Sequence, residues 1–266
     1  MSICAYCKQE RPATLEHVIP AFMYALQKQA GEGVIGWNEV IEKMVGGEAK
    51  VKDVCADCNN RVLGDLDAYG KSLLKESGLL VQNYLKRTLT LRYNYGLLLR
   101  WLLKVSFNSS RRDGAHIHLF EAHIPFILGC ENCPPRCQIG LAAYMASPVV
   151  LDQSQVDQEP FHTLSRGTKT LNPFLVRICY GLVPGDDSYT LRMNIFGPAV
   201  FYMMIFNEGT LPGHAGAAIR RFLKMTPGAV ELTPTRRLVQ LHAGAQTWLD
   251  LYAHQVQRAQ SVAGGA

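Results

Sequence analysis

Cys55-Ala56-Asp57-Cys58-Asn59-Asn60-Arg61-Val62-Leu63-Gly64-Asp65-Leu66-Asp67 is the stretch whose reading decides the N-terminal fold. Its C-x-x-C opens on a turn and runs into a helical pattern. A second C-x-x-C, Cys4-Ala5-Tyr6-Cys7, lies upstream with 47 residues between the two pairs. Each pair can present two sulfurs to one tetrahedral Zn²⁺ at about 2.3 Å. Neither pair opens a βαβ unit of the kind that carries a redox C-x-x-C, so the spacing predicts a structural zinc held by Cys4, Cys7, Cys55 and Cys58. Four cysteines leave no open coordination position, and such a zinc supports a fold without doing chemistry.

Between the pairs stands Thr14-Leu15-Glu16-His17-Val18-Ile19-Pro20. The ordered combination of C-x-x-C, Glu-His-Val-Ile-Pro, and C-x-x-C-Asn-Asn with a glycine and an aspartate soon after resembles the HNH (His-Me finger, ββα-metal) endonucleases. The resemblance covers residues 4–67, and it implies a module of two strands and a helix pinned by zinc. Phosphodiester hydrolysis needs an activated water and a cation for the charge that develops on phosphorus and on the leaving oxygen. The resemblance gives the base to His17, a residue type that titrates near neutrality. It gives a hard divalent ion, Mg²⁺ or Mn²⁺, to Glu16 and Asn59, with Asn60 able to replace Asn59 and with Asp67 as a further ligand or as an orienter of His17. Leu63 and Gly64 stand where many members carry a third signature histidine. Adjacent strand residues point to opposite faces, so Glu16 and His17 share a site only where the strand ends or bends, which Pro20 permits.

From Asp65 onward apolar residues recur at helical spacing through Leu66, Tyr69, Leu73 and Leu74 to Leu79, Leu80 and Tyr84. A second helix is predicted over 93–107, with a loop at 108–114. Strands are predicted at Cys137–Val150, Phe174–Val183, Tyr189–Ile195 and Ala199–Phe206, rich in β-branched and aromatic residues and punctuated by Gly185 and Gly197-Pro198. Helices follow near 214–225 and 244–260. The expected class is α+β: a zinc-pinned ββα-metal module over 1–70, a helical connector over 71–113, and an α+β domain with antiparallel strands over 114–266.

The 266 residues include 48% hydrophobic and 18% charged positions, an ordinary globular composition. No run reaches the roughly 18 apolar residues of a membrane span. The start, MSICAYCKQERP, lacks the pattern of a secretory signal, so a cytoplasmic protein with reduced thiols is expected. The formal charge is +5, and four thiolates binding one Zn²⁺ would take it to +3, so local patches must carry any affinity for nucleic acid. Arg61, Arg111 and Arg112 are the candidate phosphate contacts, the last two from the expected loop; Lys86-Arg87 with Arg92, Arg220-Arg221 with Lys224, and Arg236-Arg237 read as solvated faces. Cys130, Cys133 and Cys137 could hold a second zinc with Cys179 or His123, and His116 and His118 would share one face of a short strand. The expected activity is metal-dependent hydrolysis of nucleic acid, DNA before RNA, with the C-terminal domain free for a protein partner. The alternative is a zinc-stabilised binding or interaction module without catalysis.

Overall fold

The computed structural model describes residues 1–29, 35–38, 43–159, 161–181, 183 and 185–253, with backbone alone at 35–38 and 43–46. The chain is mixed α+β with antiparallel sheets. It opens on a short hairpin, β1 (Ser2–Ile3) and β2 (Glu10–Arg11), whose turn carries the first cysteine pair. Lys8 takes φ 59°, the left-handed turn position that closes this knuckle. β3 (Ala13–His17) is followed by α1 (Ala21–Gln29), the hairpin of β4 (Ile35–Asn38) and β5 (Lys43–Gly46), and β6 (Lys50–Cys55), which pairs antiparallel with β3. Thr14 faces Val54 and Glu16 faces Val51, so β6 carries one extra residue and bends there. A π-helical turn, Cys58–Leu63, then leads directly into α2 (Gly64–Glu76).

α2 stops at Glu76, and Gly78 turns left-handed at φ 71°, so the expected continuation through Leu79, Leu80 and Tyr84 is corrected to a loop. That loop enters β7 (Thr88–Arg92), where exposed and buried residues alternate. α3 (Tyr95–Asp113) begins where the Asn94 side chain accepts from the Leu97 amide, and it ends at left-handed Gly114. It therefore includes 108–113, expected as a loop. Asn108, Ser109 and Ser110 are weak helix formers that this helix buries. α3 is the axis of the molecule: Leu98, Leu102 and Val105 join a single apolar core that runs from Cys4 through Leu74 to Phe201 and Leu241.

Two short helices follow, α4 (His118–Glu121) and α5 (Ile124–Leu128). His116 has φ 55° and His118 begins α4, so the expected short strand is not formed. The rest is built on a seven-stranded sheet. β8 (Ile139–Ser147) and β9 (Val149–Val150) are followed by α6 (Gln153–Val156), α7 (Phe161–Ser165) and β10 (Thr170–Leu171). Then come β11 (Val176–Gly181), β12 (Tyr189–Phe196), β13 (Ala199–Phe206), α8 (Pro212–Met225), β14 (Val230–Leu232) and β15 (Leu238–Thr247). The sheet order is β11-β12-β13-β8-β15-β7, with β14 also on β8. β8, β11, β12 and β13 fall where the sequence predicts strands.

β8 and β13 are buried along their whole length because helices cover both faces. Ile139, Leu141 and Met145 join the core of α3, while Ala142, Tyr144 and Ala146 join that of α8. One expectation fails at the C-terminus: residues 244–247 extend β15, which alternates Val239 and Leu241 inward with Leu238, Gln240 and His242 outward. Helix appears only at 248–253, and 254–260 lie outside the described residues. No helix among the described residues is long and apolar enough to cross a membrane.

Candidate metal centre and histidine site

The two cysteine pairs converge. Backbone bonds fold the first knuckle, Cys4 N–H to Gln9 O (2.9 Å) and Lys8 N–H to Cys4 O (3.0 Å), and Ala5 N–H to Asp53 O (2.8 Å) docks it on β6. The second pair straddles the end of β6 and the start of the π-helical turn. All four sulfurs lie within 4.8 Å of one another, and Cys7 Sγ is 3.8 Å from Cys55 Sγ. Zn–S bonds of 2.3 Å in a tetrahedron place sulfurs about 3.8 Å apart, so the donor set fits zinc. Cys55 N–H also points at Cys4 Sγ, 3.4 Å away. Burial raises the Cys4 thiol, but backbone hydrogen bonds from Cys55, Cys7 and Tyr6 outweigh it and bring the group down to about 7. Burial and the neighbouring thiols push Cys58 up. Four clustered thiols cannot all ionise without a cation, and a divalent metal would supply the missing charge. Among the described residues this is the only cluster of three or more His, Cys, Asp or Glu ligand atoms suited to a metal ion. Cys130 and Cys133 are exposed, and no such cluster includes them or Cys137.

β3 sends its last two residues to opposite sides. His17, 25% exposed, points outward and its Nε2 lies 2.9 Å from Glu48 Oε2. Glu48 also takes Lys28 Nζ at 2.7 Å on Oε1 and Lys50 Nζ at 2.9 Å on Oε2. The Lys28, His17 and Lys50 contacts hold its carboxyl well below the usual range. Tyr24 borders the site, its ring centroid 6.0 Å from that of His17 and its hydroxyl accepting from Ala49 N–H at 3.0 Å. Burial raises the Tyr24 hydroxyl, and the charge of exposed Arg112 at the end of α3 pulls it back. One carboxylate thus sits among two lysines and an imidazole, with Arg112 close to Tyr24, a locally positive setting.

Glu16 turns the other way and is buried. Its Oε1 accepts from Lys104 Nζ at 2.6 Å and from Asn108 Nδ2 at 3.0 Å. Lys104 Nζ also reaches Asp67 Oδ2 at 2.8 Å, and Lys104 is fully buried. Burial alone would lower the Lys104 ammonium, but Asp67 and Glu16 raise it; burial pushes the Asp67 carboxyl up against the pull of Lys104. Asn108 Nδ2 donates also to the His17 carbonyl at 3.0 Å, and Asn108 Oδ1 accepts from Tyr6 Oη at 2.6 Å and from Arg111 at 2.5 Å. Arg111 pairs with Asp53 and lies over the Tyr6 and Phe107 rings. It is an internal clamp between α3, β6 and the cysteine knuckle, whereas Arg112 and Arg61 are exposed. Asn59 Nδ2 donates to Thr14 Oγ1 at 2.8 Å and to Leu15 O at 3.2 Å, two residues from His17 along β3.

The structure therefore gathers the four cysteines, places His17 with Glu48, and joins Glu16 to Asp67 through Lys104. The sequence reading did not single out Glu48, Lys28, Lys50, Lys104 or Asn108. Glu48 follows Gly46-Gly47 with no pattern to mark it. Lys104 was visible in principle as a charge inside the apolar stretch Trp101–Val105 with Asn108 one turn on, since a charge there must be paired. Comparison with protein-family models, curated proteins and solved structures gave no match to this chain.

Proposed function

We propose that the chain is an endonuclease that hydrolyses phosphodiester bonds in nucleic acid, DNA before RNA, with His17 as general base. The observation that carries this is the His17–Glu48 pair at 2.9 Å within a ring of cations. A carboxylate accepting from Nε2–H fixes the tautomer that leaves Nδ1 unprotonated, so Nδ1 takes the proton of the attacking water. The water oxygen bonds to phosphorus as the bond to the 3′ oxygen breaks, and that oxygen takes a proton from solvent, leaving 5′-phosphate and 3′-hydroxyl ends. Lys28, Lys50 and Arg112 attract the phosphate and offset the charge that develops on it. The ordered β3, β6 and helix around the cysteine cluster also agree with the HNH resemblance, with zinc holding the frame and Asn59 fixed next to Cys58.

The divalent ion implied by that resemblance, Mg²⁺ or Mn²⁺, would need oxygens from Glu16, Asn59 and Asp67. Two of the three do not fit as placed, since Glu16 and Asp67 hold an ammonium; Asn59 donates its Nδ2 to β3 and offers its oxygen alone. No catalytic step is routed through such an ion. The same observation favours the alternative of a zinc-stabilised binding module, possessing the frame without hydrolysis. The experiment incubates supercoiled plasmid, linear duplex and RNA with the purified protein, with and without Mg²⁺ or Mn²⁺. Nicking that leaves ligatable 5′-phosphate ends and is lost in His17→Ala supports the nuclease. Binding that survives His17→Ala with no cleavage under any condition supports the module.

A further inference from the structure

Lys104 is a fully buried charge on a helix otherwise dedicated to the apolar core, and two carboxylates from different elements reach it. Glu16 arrives from β3 at 2.6 Å and Asp67 from α2 at 2.8 Å. Two carboxylates brought this close, Glu16 buried and Asp67 with 24% of its side chain exposed, repel and share a cation or a proton. That position is one where a hard metal ion could sit, since two carboxylates from separate elements form the usual core of such a site. Here the cation is covalently attached.

Three features keep it there. Lys104 is fully buried, on a stretch of α3 buried at every position from 101 to 110. Asn108, the polar neighbour of Glu16, presents Nδ2 to the carboxylate and keeps Oδ1 for Tyr6 and Arg111, an arrangement that serves an anion and repels a metal ion. Asp67 Oδ1 is buried without a hydrogen-bond partner, so the ammonium on Oδ2 is what neutralises this carboxylate.

We infer that Lys104 is the resident cation of the Glu16–Asp67 pair, standing where a divalent ion would otherwise bind, so that the pair accepts a hard metal only when the ammonium is removed. It rests on the proposed function only in taking Glu16 as a candidate ligand. The consequence for that function is that Glu16 positions His17, through Asn108, rather than holding a catalytic ion. The test reads metal binding and not cleavage, so its failure is separable from failure of the nuclease proposal.

Full-length, zinc-loaded protein is titrated with Mn²⁺ by equilibrium dialysis and paramagnetic resonance, with zinc content and circular dichroism followed throughout. Wild type should show no Mn²⁺ site that is lost in Glu16→Gln or Asp67→Asn. Lys104→Met, uncharged and of similar length, should gain one Mn²⁺ per chain, bound at least about tenfold more tightly than anything in wild type. Asp67→Asn in that background should remove it, and Mn²⁺ should raise the Tm of Lys104→Met alone. A Mn²⁺ site in wild type that disappears in both Glu16→Gln and Asp67→Asn, with zinc and fold unchanged, would overturn the inference. So would a folded Lys104→Met that gains no Mn²⁺. If Lys104→Met does not fold, Lys104→Gln takes its place under the same readouts, with the same outcomes deciding.

Discussion

Glu16 and His17 are neighbours in the chain, yet the two sides of β3 they occupy have opposite physics. On the Glu16 side, Glu16 and Lys104 are buried, one ammonium is shared by two carboxylates at hydrogen-bond distance, and the partners come from α2 and α3. On the His17 side, Glu48, Lys28 and Lys50 stay partly solvated and cations outnumber carboxylates. A buried charged network holds elements in register, because losing one partner leaves an uncompensated charge. A half-exposed one contributes little to stability, and its charges remain free to meet a ligand. The difference teaches that alternation along one strand can separate support from chemistry, with Asn108 joining the two where it bonds both the Glu16 carboxylate and the His17 carbonyl.

The comparison can be broken or sharpened by substitution. The largest effect is expected from Cys58→Ser, which removes one zinc ligand and with it most of a metal-binding free energy of about 10–16 kcal/mol; both sides of β3 should collapse together, seen as lost zinc in atomic absorption and as aggregation. Lys104→Met strikes the buried side alone and should cost about 3–5 kcal/mol in chemical denaturation without added metal. Glu48→Gln strikes the open side alone: denaturation midpoints should hardly move, while any cleavage rate should fall about 10²-fold, since an amide can donate to the ring as well as accept from it and no longer fixes its tautomer. Gly70→Ala tests the α2–α3 contact without touching a charge. Its Cβ would stand 2.2 Å from Trp101 Cε2, so about 1–3 kcal/mol of overpacking is expected.

The smallest effect is on pH dependence, and its sign differs between the two sides. Glu48 is held below its ordinary value, so its contribution is present above about pH 4.3 and fades as pH falls through its lowered value. Lys104 is held above its ordinary value, so its contribution is complete below about pH 10.4 and fades only as pH rises through the raised value. Thermal melts at low ionic strength should show the acid-side change, and half-molar salt should erase it while sparing the alkaline one.

Much of this was legible in the sequence where one local rule governs a residue. The cysteine pairs announce themselves by spacing. The strands at 139–147 and 199–206 read as apolar runs because sheet residues covered on both faces need not alternate, and 189–196 reads as a strand by its alternation. The extent of α3 was not legible, since Asn108, Ser109 and Ser110 suit loops until Tyr6, Glu16 and Tyr180 supply partners from elsewhere in the chain. The last four residues of β15, 244–247, read as helix because Gly244 and Ala245 carry no strand signal, and pairing with β8 holds this end of the strand in the sheet. Glu16 was expected beside His17 in one site; the partner that draws it inward lies 88 positions away on α3, a separation no local pattern encodes.

The most direct test of the account is a single-turnover cleavage measurement on one DNA substrate, comparing wild type with His17→Ala at equal zinc content and equal melting temperature. The account predicts a rate lower by at least about 10²-fold in His17→Ala. Equal rates in the two proteins, or no cleavage by wild type with or without divalent ions, would contradict it.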